Sequence, residues 1–199
     1  MSYKKYIESL NAMNQLAITS SKDELSRYAK SDIFWAERKQ SMLSVRTVHK
    51  GEVYQFEFGK NFMPEMSYEH RGLVIGVADK LLYVLPICSF RPDNKEHARA
   101  FHPISNLNMR SNFYLLKSEE YQFLKHDSVL KLNDLKTVST KRILYMHGAV
   151  DNQSEEYLRI ERMAFRKCFP QYSYAYDKMR EENNLLYKEL EQYRNCAKT

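Results

Sequence analysis

Between Glu52 and Phe58 polar and apolar residues interleave as Glu-Val-Tyr-Gln-Phe-Glu-Phe, the period-2 pattern of a half-buried strand. Two near-continuous apolar runs follow, Leu73–Val77 and Leu81–Leu85, separated by Ala78-Asp79-Lys80, which predicts two buried strands in a tight hairpin. Asn112–Leu116, Ser128–Leu132 and Lys136–Ser139 carry the same texture in shorter form. Five or six short strands in about 90 residues suggest a small barrel. On either side the period changes. Ile7, Leu10, Met13 and Leu16 recur at helical spacing, and Ser21-Lys-Asp-Glu24 has the capping-box pattern of a helix start. Leu25, Tyr28, Ala29, Trp35 and Ala36 continue that helix without Gly or Pro. Ser154–Phe169 predicts another helix, which Pro170 must end or kink. Beyond it Tyr176, Met179, Asn183, Leu186, Leu190 and Tyr193 form a short heptad seam. Such a seam packs either on its own domain or on a partner helix.

Composition narrows the class. The 199 residues are 43% hydrophobic and 28% charged, which excludes disorder, and five Gly and five Pro fit a chain rich in regular structure. Three dispersed cysteines, Cys88, Cys168 and Cys196, signal neither a disulfide framework nor a zinc motif and favour a reducing compartment. The Met1–Gln15 segment lacks the apolar core of a signal peptide. The most apolar stretch, Leu73–Phe90, is interrupted by Asp79-Lys80 and Pro86, so a membrane span is not expected. The expectation is a soluble, cytoplasmic protein. Its net charge of +6 is unevenly placed: +4 in residues 1–50, −1 in 51–100, +3 in 101–150 and zero in 151–199. A basic surface therefore needs the first and third quarters folded together.

The middle of the chain resembles the PemK/MazF family of toxin endoribonucleases. The resemblance rests on an ordered set: Gly51–Gly59, a loop with Asn61 and Glu65, His70-Arg71-Gly-Leu-Val-Ile75, Leu85-Pro-Ile-Cys-Ser89, Asp127–Leu132 and Leu135–Arg142. It covers roughly residues 48–169. It implies an α+β chain built on a small SH3-like antiparallel β-barrel with added N- and C-terminal helices. The divisions would be a helical extension at 1–47, the barrel domain at 48–169 and an amphipathic helix at 170–199. Two departures stand out. The family usually has Arg-Pro where this chain has Arg71-Gly72, and its hydroxyl residue after the third strand aligns with Cys88, leaving Ser89 as the nearest hydroxyl.

An RNase of this kind lets the ribose 2′-OH attack the adjacent phosphorus, so it must stabilise a dianionic phosphorane and move two protons. An arginine suits the first task because its planar guanidinium presents several donors to phosphate oxygens. Arg71, immediately before an apolar strand, is the candidate, and the resemblance makes it catalytic. Ser89 or Cys88 would assist, although a cysteine in such a run equally reads as a small buried hydrophobe. His70 is a candidate proton carrier and Glu65 a candidate base or base-edge contact. Arg91, Lys95 and Arg99, with His97 and His102 in the same polar segment, are candidate RNA contacts, as are Lys136, Lys141 and Arg142. Tyr68 and Tyr114 could stack on splayed bases. No metal or cofactor is expected. The resemblance further implies single-stranded RNA as substrate, a cyclic phosphate and a 5′-OH as products, a cognate antitoxin (protein or small RNA) and a homodimer. A non-catalytic nucleic-acid-binding or adaptor protein on the same barrel is the rival reading.

Overall fold

The computed structural model describes residues 3–41 and 47–196, with side chains to 195. The chain is α+β: among the described residues, an antiparallel seven-stranded sheet with four α-helices. Two helices lead: α1 (Tyr3–Thr19) and α2 (Lys22–Gln40). The expected capping box opens α2, where the Ser21 hydroxyl accepts from the Glu24 amide and the Glu24 carboxylate accepts from the Ser21 amide. Residues 42–46 of the expected helical stretch lie outside the described residues.

The strands are β1 (Glu52–Glu57), β2 (Glu69–Ala78), β3 (Leu81–Ser89), β4 (Phe113–Leu116), β5 (Ser128–Lys131), β6 (Lys136–Ser139) and β7 (Ile143–Ala149). Asp79 takes a positive φ of 55° in the β2–β3 turn, a conformation that Asp tolerates better than most residues. Strand order is β4-β5-β3-β2-β1-β7. β3 is the long central member: its first half pairs with β6 and its last three residues pair with β5. Among the described residues no pairing joins the two ends of this order, so the sheet is antiparallel but not closed, and it does not by itself establish the expected small barrel. The sequence reading also misses β7.

Alternation buries both faces of the sheet. Val53, Leu73, Leu85 and Leu130 form one core with Tyr157, Ile160, Met163 and Ala164 of α3 (Glu155–Cys168). Tyr54, Phe56, Val74, Leu82, Val84 and Val138 form the other. Gly72 lies in the second, where a Cβ would come 2.4 Å from Val84 Cγ1 and 3.0 Å from Phe56 Cδ2. The Arg-Gly departure therefore has a steric cause. Pro170 opens α4 (Pro170–Cys196) directly after α3, as its ring allows at a helix start. The heptad seam is largely exposed: Tyr176, Met179, Leu186, Leu190 and Tyr193 are all more than half exposed, and Tyr176 alone of these lines a cleft against Ile75, Tyr83 and Phe165. No helix among the described residues is long and apolar enough to cross a membrane.

Candidate functional site

Strand register assembles one polar patch at the end of the first core. Arg71 falls within β2 rather than before it, two residues from Leu73 and therefore on the same face. It pairs with Gln55 of β1 on one side and Ile87 of β3 on the other. One step beyond Ile87 on that face stands Ser89, paired with Ser128 of β5. The apolar row thus ends in side chains that carry hydrogen-bonding groups.

Four hydrogen bonds organise the patch. Arg71 Nη2 donates to Ser128 Oγ at 3.1 Å, and that hydroxyl in turn donates to the His126 carbonyl oxygen. Ser89 Oγ lies 2.8 Å from His126 Nε2, both groups exposed. His147 Nε2 lies 3.1 Å from Gln55 Oε1. Tyr145, opposite Gln55 in the β1–β7 ladder, packs its ring 5.0 Å from that of His147. Burial pushes the His147 imidazole below its ordinary value, and the positive charges of Arg71 and Lys125 push the same way. It is neutral at pH 7; with Nε2–H donating to Gln55, Nδ1 carries a free lone pair. Burial also pulls the Arg71 guanidinium down, and Cys88 and Tyr145 act in the opposite sense. An arginine starting so high stays charged.

Arg71, His70, Ser89, Cys88 and Arg91 line one open cleft of about 410 Å³. His70 sits deep in it, its imidazole pushed down chiefly by burial. Cys88 packs with Phe90 and Leu115 beside Val129, and burial raises its thiol, so it stands there as a neutral, half-buried group. His97 closes one wall between the rings of Phe90 and Phe113; its Nδ1 accepts from the Arg91 amide, which leaves the proton on Nε2.

Other sequence candidates lie elsewhere. Glu65 is paired with Lys136 at 3.2 Å, and Lys136 with Asp134 at 3.4 Å, contacts that fasten the β1–β2 loop to the β5–β6 turn. The Met66 amide donates to the same Asp134 and Lys131 donates to the Pro64 carbonyl. Lys141 donates to the carbonyls of Arg38 and Ser41, and Arg142 to that of Glu57. Lys95 and Arg99 are exposed near the cleft's rim segment but do not line it. His102 is an interior side chain whose Nδ1 accepts from Ser105 and Ile104 amides. Tyr114 is fully buried and donates to Glu156, so it offers no stacking face. Gln55, His126, Ser128 and His147 escape the sequence reading. Among the described residues, no three His, Cys, Asp or Glu side chains group as metal ligands.

Comparison with solved structures adds distant likenesses, among them one to a protein paired with a partner. An endoribonuclease solved in complex with its cognate antitoxin, from a mycobacterial species, aligns over 63% of this chain and 97% of its own. The two are 10% identical, with a TM-score of 0.37. No protein-family model matches the chain, and no curated protein matches it.

Proposed function

We propose that the chain is a toxin-type endoribonuclease that cleaves single-stranded RNA by attack of the 2′-OH, releasing a cyclic phosphate and a 5′-OH. The observation that carries this reading is Arg71 held at the centre of an open cleft between two hydroxyl or amide groups, each paired with a histidine. Arg71 binds the non-bridging oxygens and stabilises the charge that builds on them in the phosphorane. Neutral His147 takes the 2′-OH proton, and His126, directly or through Ser89, gives a proton to the departing 5′-oxygen. Ser128 positions the guanidinium. His70 and Arg91 flank the phosphate, and Cys88 is a wall rather than a reacting group. The substrate supplies its own nucleophile, so the route as drawn uses no metal.

The ordered sequence motifs at 48–169 support the same reading, with the barrel type and the homodimer of that family as its corollaries. A cognate antitoxin, protein or RNA, would cover the cleft in the cytoplasm. The test is incubation of the purified chain with total RNA in excess EDTA, followed by end-group analysis. Wild type is expected to give cyclic phosphate and 5′-OH ends, and Arg71→Ala to cleave about 10²–10³-fold more slowly, the usual cost of removing a transition-state donor. Undiminished cleavage by Arg71→Ala removes the site assignment. Absence of any cleavage by wild type removes the enzyme and leaves a binding protein.

A further inference from the structure

The Arg71 cleft does not end at His70. Glu69 and His70 also line a second cleft, whose other wall is Arg27, Lys30 and Tyr68. Glu57 of that second cleft is shared with a third, the most voluminous of the three at about 570 Å³, which lies between α2 and the β6–β7 turn. The third is lined by Trp35, Phe34, Lys39 and Lys60, together with the anchoring Lys141 and Arg142. The three clefts therefore lie side by side, from the candidate catalytic arginine to the face of α2.

Their chemistry is basic on balance. Lys and Arg number two in the first cleft, two in the second and five in the third, against three carboxylates in all. Two of those carboxylates are already engaged. Asp32 pairs with Lys60 at 2.7 Å, and Glu57 is buried, accepting from the Ser31 hydroxyl and the Gly59 amide. Aromatic faces sit among the cations: Trp35 is 58% exposed with Lys39 Nζ 4.7 Å from its ring centroid, and Tyr68 packs on Tyr28. Cations spaced along a groove and interleaved with aromatic rings are what a single strand requires, phosphates on the former and unstacked bases on the latter. An acidic peptide would use the charges and leave the rings without a purpose.

We propose that α2 and the β6–β7 turn form an extended binding track for single-stranded RNA that feeds the Arg71 cleft. The proposal rests on the nuclease reading for its polarity but has its own readout. Trp35 is the chain's one tryptophan, so base stacking there quenches all indole emission.

The experiment uses the full chain in an Arg71→Ala background, where cleavage is slow on the time scale of the titration. It follows Trp35 emission and the anisotropy of a labelled oligoribonucleotide of about 12 residues, within the span that single-strand grooves cover. Quenching that saturates with the anisotropy is expected, and a dinucleotide is expected to produce none. The variant Arg27→Gln/Lys30→Gln/Lys39→Gln, which alters exposed side chains, should bind about tenfold more weakly. It should also flatten the log K against log salt slope by about 2, since each single-strand phosphate contact contributes roughly 0.7. Trp35→Leu should weaken binding with the slope unchanged. An unaltered circular-dichroism melt identifies these as binding effects; if the triple variant melts early, Trp35→Leu and the quenching decide alone.

Unchanged affinity and slope in the triple variant, with no quenching by the long oligomer, overturn the track whether or not wild type cleaves RNA. Equal quenching by polyglutamate overturns it in favour of an acidic protein partner. Failure of wild type to cleave, with quenching and slope as expected, removes the nuclease reading and leaves the track standing.

Discussion

At the scale of single residues, the candidate site is a set of pairs made across the sheet. Arg71 bonds to a residue 57 positions away and Gln55 to one 92 positions away, while Ser89 reaches His126 across 37. Those separations explain what the sequence could disclose. Arg71 and Ser89 stand beside apolar strands in a readable order. His126 and His147 stand in segments with no motif, and only the strand register brings them to the patch. The proposed roles carry a pH signature. His147 has its folded value lowered by burial and by Arg71 and Lys125, so it is neutral above the ordinary imidazole range and is lost as a base when pH falls through that depressed value. The cleavage rate is expected to decline on the acid side with an apparent pKa below 6.5, the unperturbed histidine value. In His147→Gln the rate should be lower by about 10²–10⁴ and that acid limb should vanish. An acid limb that persists in the variant assigns the proton transfer to another group.

At the scale of elements, local signals were legible wherever packing is simple. The capping box of α2, the hairpin of β2 and β3 and the break at Pro170 follow from rules that involve a few adjacent residues. β7 was missed because its apolar run, Ile143–Met146, is short and gives way to His147-Gly148, with no alternation across a segment that is half-buried nearly throughout. The departure at Gly72 was visible in the sequence, but its reason was not. With Val84 Cγ1 2.4 Å from where a Cβ would sit, on a rigid central strand, Gly72→Ala overpacks the second core. It is expected to destabilise the fold by about 2 kcal/mol, the middle of the range for overpacking, read as a lower urea midpoint at constant m. A neutral outcome would mean that β2 and β3 separate more easily than their apolar contacts suggest. The seam of α4 reverses the commoner expectation for an amphipathic helix: beyond Tyr176 its apolar stripe is largely exposed, and it contributes no residue to either core.

At the scale of the whole molecule, folding resolves the uneven charge. The basic first quarter supplies α2 and the basic third quarter supplies Lys136, Lys141 and Arg142, and the contacts of Lys141 and Arg38 bring the two together beside the near-neutral strands that hold Arg71. The attachment differs in kind from the sheet. α2 is held by side-chain contacts, Ser31 to Glu57, Asp32 to Lys60, Arg38 to the Ile143 carbonyl and Lys141 to the helix end. β3, by contrast, is hydrogen-bonded along both edges, by β2 on one side and by β6 and then β5 on the other. Native-state hydrogen exchange should rank the elements accordingly, with β3 amides exchanging only through global unfolding and α2 amides opening at lower free energy. Uniform protection of α2 and β3 would contradict that order. The double pairing of β3 thus sets the sequence in which the protein comes apart. On warming, the floor beneath Ser89 should outlast the helix proposed to guide a strand toward it, so on that proposal grip on long RNA would fade while the Arg71 cleft stays assembled.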